Sequence, residues 1–496
     1  MFELIGTGGR ESSCAGTGLR GAGKEALGLF AGLLIGTAGV TAATGSARAN
    51  GNYTHLWVAQ DAVQHVENAE LQELLAAPEW YEAMRNGANF PDGGYAVGDG
   101  YGEMGHWEPF QTLYLEWIRD TYGPPWSDEG KRHVAFLLGM AAHGLTDQLF
   151  DGMYLERHYV FDENSTGGEW GNVDGVTDIC FAAAMGPMQP PETWVPADVM
   201  AELFAEAGHE VTPQTIEMGQ SLVAVAVMYT DDKRTDEATL DKYMELYPWA
   251  CGHVDDPTVP GSPISLGPPV ARYMEVLWGR LHGNDGFDQP LLGAWFSKGM
   301  PYEQPRDAGT PDSWVSFAMP RGLDKGSLTD ESVTVVGPGG SAHPVTLQLY
   351  YGNDSHLVNI RPKEDWAKEA DYTVTLSAPL ATWNGLALEG TRTFEFSTGA
   401  APAIGDVRGS DDDGDAAGEG NSAVGDDTAG AGNSASGCSA GGVGGMRGGS
   451  GGANLGVVLL LASLVAGAAA VGRLTRRGTP WTAKQRCASL DFSHRP

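Results

Sequence analysis

The sequence predicts a multidomain protein: a mostly α-helical domain, an all-β sandwich, a disordered stalk and one C-terminal transmembrane helix. Three observations predict it. Apolar residues recur at helix spacing as far as about residue 298, switch to a period of two between 301 and 399, and form one uncharged run near the C-terminus.

At 496 residues the chain is too long for one ordinary core. Residues 1–49 are a leader: Arg10, Arg20 and Lys24 precede the apolar run Leu27 to Ala43, and Ser46-Ala47-Arg48-Ala49 supplies a small-residue cleavage site. That pattern is a signal peptide and implies export. Within 50–298, the segments Gln60 to Ala76, Pro109 to Tyr122, Lys131 to Tyr154, Val195 to Ala207, Thr212 to Tyr229 and Val270 to His282 carry helical spacing. Within 301–399, short alternating stretches begin at Val315, Ser332, Val345, His356, Asp371 and Arg392, a density that implies a β-sandwich.

Residues 400–452 are mostly Asp, Gly, Ser and Ala and cannot bury enough surface to offset ordering, so they read as an acidic stalk. Residues 453–472 are long enough to span a bilayer, and the basic tail 473–496 opens with Arg473, Arg476 and Arg477. Positive-inside bias then leaves the body outside the cytoplasm, membrane-anchored or at the cell surface.

The formal net charge of −34 argues against a basic groove for a polyanion, so nucleic acid is disfavoured as a partner. Five cysteines form no CxxC pair, which argues against a thiolate zinc site. Cys180 and Cys251 read equally well as a disulfide in an oxidising compartment or as two separate buried thiols. Nothing in the pattern sets an oligomeric state.

The most informative segment is Phe136 to Asp151. Its first turns are apolar all round, which marks a buried helix. Into it are set His143, Asp147 and Asp151, at i, i+4 and i+8. Four residues advance a helix by about 400°, so the three side chains line one face with roughly 6 Å of rise between neighbours. Buried carboxylates need cations, and few basic residues are near, so metal ions are expected. The plain alternative is two solvent-facing Asp on a helix that surfaces after Ala142.

Other segments extend the pattern. Tyr53-Thr-His55-Leu-Trp, Pro91-Asp92-Gly-Gly-Tyr, Gly105-His106-Trp and Phe136-Leu-Leu-Gly with its HxxxD pair resemble, in this order, the motifs of the zinc-dependent phospholipase C family. The resemblance spans Asn50 to about Asp178. It implies a mostly α-helical catalytic domain, a phosphoric diester hydrolase with up to three zinc ions, and a phospholipid or other phosphodiester as substrate. It further implies that Asp92, His106, His143 and Asp147 hold one metal, and that Asp147 bridges to a second held by His55 and the free amino terminus of Asn50. Asp92 is nominated as base or water-orienting group. The family's remaining site uses histidines that this chain replaces with Asp151 and the DxxxD pair Asp174 and Asp178. Such an oxygen-only site would favour calcium, magnesium or manganese. Asp174 and Asp178 read almost as well as helix caps.

The segment 301–399 resembles a bacterial surface-layer Ig-like domain through Phe317-Ala-Met-Pro, Tyr372-Thr-Val-Thr-Leu and Phe394-Glu-Phe-Ser-Thr-Gly, and that resemblance implies a spacer. Gly437-Cys438-Ser439, the apolar run and the Arg cluster resemble a C-terminal sorting tag. Two other functions remain open: a single-strand nuclease-like phosphodiesterase, and a non-catalytic surface protein stabilised by metal. His158 reads as an exposed residue rather than a support to the ligands, and Trp57 and Trp107 as core packing rather than the lining of an acyl or headgroup pocket.

Overall fold

The computed structural model describes residues 51–158, 161–162, 173–295, 314–352 and 354–399. Asn50 and the expected leader, stalk and apolar run Ala453 to Gly472 lie outside the described residues. Twelve named α-helices come first: Asn52–His65 (α1), Ala69–Ala76 (α2), Pro78–Val97 (α3), Tyr101–Gly105 (α4), Glu108–Thr121 (α5), Asp128–Leu149 (α6), Val173–Met185 (α7), Ala197–Glu206 (α8), Pro213–Lys233 (α9), Glu237–Leu246 (α10), Pro248–Gly252 (α11) and Gly267–Leu281 (α12). The helix expected from Gln60 to Ala76 is broken before Ala69, where the Asn68 side chain accepts from Leu71 N at 3.0 Å and caps a new start. Ser127 caps α6 in the same way, accepting from Gly130 N at 3.1 Å.

Helix α3 is the main element that periodicity missed. Pro91, Gly93 and Gly94 read as a loop, yet all three lie inside it, and every residue from Ala83 to Gly94 is buried. Tertiary packing overrides local propensity here. The packing is backbone to backbone against α6: a Cβ on Gly87 would fall 2.0 Å from Phe136 O, and one on Gly139 would fall 2.0 Å from Met84 O. After Leu149 the helix continues as a π-helical turn, Phe150–Leu155.

The strands are Gly293–Trp295 (β1), Val315–Ala318 (β2), Val333–Val336 (β3), Val345–Leu349 (β4), Leu357–Pro362 (β5), Asp371–Ser377 (β6) and Thr391–Ser397 (β7). They form two small antiparallel sheets, ordered β1-β2-β5-β4 and β3-β6-β7. Six of the seven coincide with the expected stretches; β1, three residues long, has no alternation to reveal it.

The fold-class expectation needs two corrections. An all-β Ig-like sandwich does not form; the few short strands make small sheets joined to a predominantly helical body in one compact unit. The reason is two-sided burial: all four residues of β2 and the first four of β5 are buried, so the first sheet is covered on both faces. Ala318, Tyr350 and Leu357 pack into the helical core itself. Secondly, no helix among the described residues is long and apolar enough to cross a membrane. Even α6, apolar through its middle, carries Asp128, Glu129, Lys131, Arg132 and Asp147.

Polar contacts fasten sheet to helix. Gln148 Oε1 accepts from His356 N at 2.7 Å and from Ser355 Oγ at 2.9 Å, and Asn359 Nδ2 donates to Gly152 O at 3.0 Å. Deepest is Glu108 at the start of α5, fully buried, with Arg280 Nη1 at 3.0 Å, Arg321 Nε at 2.5 Å, the Gly322 amide, and His356 Nε2 at 3.7 Å. Burial opposes its charge, but the two guanidiniums outweigh burial and hold its pKa below the ordinary carboxylate value. A disulfide joins Cys180 of α7 to Cys251 of α11, with Cα atoms 5.4 Å apart, which settles the cysteine alternatives.

Two outcomes follow. Glu108→Gln leaves buried Arg321 without its carboxylate and Arg280 with only the half-exposed Asp285 at 3.5 Å, and should cost about 3 kcal/mol in urea unfolding at pH 7. Since the folded pKa is depressed, the stabilisation from Glu108 is full above about pH 4.5 and is lost as pH falls through the folded value, so the wild type should lose stability on acidification and the variant less. Gly139→Ala should cost about 2 kcal/mol or more, because its Cβ would meet a backbone carbonyl that cannot turn aside.

Candidate metal centre

Five expected ligands converge on one buried point. His55 comes from the first turn of α1, Asp92 from α3, His106 from the cap between α4 and α5, and His143 and Asp147 from successive turns of α6. Asp147 is the hub: Oδ1 lies 3.1 Å from His55 Nε2, while Oδ2 lies 3.1 Å from His106 Nε2 and 3.3 Å from His143 Nε2. Asp92 Oδ1 is 3.7 Å from His143 Nε2 and 3.9 Å from His106 Nε2. Ligand atoms of His55, Asp92 and His143 lie within 4.8 Å of one another, and so do those of His106, His143 and Asp147.

The backbone aims the rings. His143 Nδ1 donates to Ala88 O at 2.7 Å, a carbonyl brought near by the α3–α6 contact, and His106 Nδ1 donates to Gly102 O at 2.6 Å. Each bond commits the Nδ1 proton and turns Nε2 inward. The two Nε2 atoms then meet at 2.9 Å. Two imidazole lone pairs at that distance repel unless a cation, a proton or a metal ion, lies with them. His55 stacks on His143 with ring centroids 3.6 Å apart, and neither of its nitrogens makes a hydrogen bond among the described residues.

Electrostatics separates the two carboxyls. Burial raises the Asp92 pKa to about 6, despite the pull of His143. Burial also opposes charge on Asp147, but His55 and His143, with hydrogen bonds from His106 and His143, hold it well below the usual range. Burial and the nearby His55 lower His143, whereas for His106 the bond to Asp147 overcomes burial and raises it. Three inward imidazole nitrogens and two carboxylates therefore fit a divalent ion, and a mixed nitrogen and oxygen set suits zinc.

The remaining expected ligands fall elsewhere. Asp178 accepts from Thr54 N at 2.8 Å, Thr54 Oγ1 at 2.8 Å, Thr230 Oγ1 at 3.0 Å and Tyr53 N at 3.3 Å, so it caps α1, the helix that carries His55. Gly51 packs on it so closely that a Cβ would lie 2.0 Å from Asp178 Cγ. Asp174 is only partly buried, in the first turn of α7. Asp151 is fully buried and accepts from the Tyr351 hydroxyl. Asp151, Asp174 and Asp178 form no metal-sized group among the described residues. Asp178 spends its lone pairs on the cap, and the structure does not bring the three carboxylates together.

Sequence reasoning also misjudged His158, which is buried and bonds Asp162 at 2.9 Å, where Asp162 in turn caps the start of α11. It had no means to find the carbonyls of Ala88 and Gly102 or the hydroxyl of Tyr351, because contacts across more than fifty residues, or to a backbone atom, leave no local signature.

No family model matches the chain. It is 38% identical to phosphatidylinositol-glycan-specific phospholipase D of Dictyostelium discoideum over 69 residues, 14% of this chain and 7% of that protein. The Homo sapiens protein of the same name is 30% identical over 117 residues, 22% of this chain and 14% of that one. The chain thus spans a small part of the curated relatives it matches. Among solved structures, surface layer protein SbsC, domains 1–6, is 10% identical, with 70% of this chain and 45% of that chain covered and a TM-score of 0.19, too low to carry an argument.

Zinc titrated into chelator-treated protein should raise the melting temperature by about 5 °C, since an ion that binds only the folded state stabilises it by mass action. Equal melting with and without zinc would exclude a centre of useful affinity.

Proposed function

We propose that this chain is an exported metal-dependent phosphoric diester hydrolase that acts on a phospholipid by C-type or D-type cleavage. The observation that carries the reading is the meeting of His106 and His143 Nε2 at 2.9 Å beside Asp147, a cluster that calls for a cation. Partial similarity to phosphatidylinositol-glycan-specific phospholipase D supports a phospholipid as substrate. The Cys180–Cys251 disulfide supports an oxidising compartment and hence export.

In this reading His55, Asp92, His106, His143 and Asp147 would hold the metal, with the amino terminus of Asn50 as a further donor. Zinc in such a site supplies Lewis-acid charge to a phosphodiester and makes water a stronger nucleophile at neutral pH. The chain's own residues do the rest. Ala88 O and Gly102 O keep both rings in the tautomer that presents Nε2. Asp147 stays ionised among three imidazoles and would lend its negative charge to the ion they hold. Asp92, the less strongly held carboxyl, takes the proton as water adds to phosphorus and returns it to the leaving oxygen as the P–O bond breaks. Asp178 holds the start of α1, and with it His55, in place.

Zinc-loaded protein should be assayed on vesicles of phosphatidylcholine, on a glycosylated phosphatidylinositol, on bis(p-nitrophenyl) phosphate and on single-stranded DNA. Hydrolysis of a phospholipid is expected; diacylglycerol marks C-type and phosphatidic acid D-type cleavage. Asp147→Asn should lower turnover more than about 100-fold and reduce bound zinc. Cleavage of DNA alone would replace the lipid by a nucleic-acid substrate, and unchanged turnover in Asp147→Asn would sink the mechanism.

A further inference from the structure

We propose that Tyr351, in the turn between β4 and β5, borders the centre: its hydroxyl holds the buried Asp151 carboxylate, four residues beyond Asp147, and its ring forms with Trp107 a wall of the substrate entrance.

Four observations converge on it. Tyr351 has φ 61°, in the left-handed region that side chains other than glycine seldom adopt, so its surroundings hold the ring where it is. Its hydroxyl donates to Asp151 Oδ2, on the turn that follows Asp147. Its ring centroid is 5.1 Å from that of Trp107, the neighbour of His106. And 44% of the residue is exposed although its hydroxyl reaches a fully buried carboxylate, so the side chain runs from solvent down to the site.

Packing of the sheet does not explain this residue. Tyr350, next to it, is buried and joins the helical core, whereas Tyr351 belongs to neither apolar core. On the far side of Trp107 the wall continues: the Trp107 indole donates to Glu103 Oε1 at 2.8 Å, Tyr95 donates to Glu103 Oε2 at 2.6 Å, and the Tyr95 ring lies 5.2 Å from that of His106. Glu103 thereby ties two of the aromatic groups together, leaving ring faces rather than polar edges toward a substrate. The sheets, on this view, are not a spacer but supply a residue to the site. The entrance role rests on the phosphodiesterase reading; the hold on Asp151 does not.

The test compares Tyr351→Phe, Tyr351→Ala and wild type by zinc titration, by melting temperature and by kinetics on bis(p-nitrophenyl) phosphate and phosphatidylcholine vesicles. Tyr351→Phe should weaken zinc binding or lower kcat about tenfold with KM and melting temperature nearly unchanged. Tyr351→Ala should in addition raise KM for the vesicles. Zinc affinity and kcat both at the wild-type level in Tyr351→Phe, or a large drop in its melting temperature, would overturn the positioning role. Equal KM for the two variants would overturn the wall. A wild type inactive on both substrates overturns the functional reading and the wall with it, and zinc titration of Tyr351→Phe then decides the positioning role by itself.

Discussion

Direct backbone contact between α3 and α6 is the constraint on which the rest depends. Gly87 and Gly139 let the two helices approach until each presses on the other's carbonyl, at Phe136 and at Met84. That approach brings Ala88 O within 2.7 Å of His143 Nδ1 and so selects the ring's tautomer. It also lays Asp92, one turn further along α3, opposite the His143 and Asp147 face. Separate the helices by the radius of one methyl group and the ring loses its acceptor, while the two carboxylates lose their common focus.

A second constraint is electrical. The chain is strongly acidic, yet its buried acids are provided for one by one: Glu108 by two guanidiniums, Asp178 by hydroxyls and amides, Asp162 by amides and His158. Asp147 alone sits among three imidazoles. The first three are answered by guanidiniums, amides and hydroxyls fixed for each, whereas Asp147 is ringed by imidazoles and Asp92 lies within 4 Å of two of the same rings, which sets this pair apart.

Much of this was legible in the chain before any coordinates. The spacing of His143 and Asp147 on an apolar helix marked both the element and its buried polar face, since a period of 3.6 leaves no other geometry. Six strands were placed by alternation. What failed has physical causes. Helix α3 hid behind Pro91 and two glycines that packing tolerates. Period-two alternation tells which face of a strand is apolar but not what covers the other, so the docking of β2 and β5 onto helices went unseen and an independent sandwich was expected. Asp178 was readable as a cap, but the helix it caps lies more than a hundred residues away.

The π-helical turn after Leu149 gives one sequence two angular settings. An i→i+5 turn holds about one residue more than an α-turn, so everything beyond it is rotated against everything before it. Before the turn, His143 and Asp147 point to the buried cluster; within and after it, Gly152 offers its carbonyl to Asn359 and Glu156 its carboxylate to Arg361. A straight helix would carry both sets in one phase. With the extra residue, the half that faces the ligands and the half that grips the sheets are indexed separately, and Asp151, at the point where the phase slips, leaves the line of His143 and Asp147 and meets Tyr351 instead.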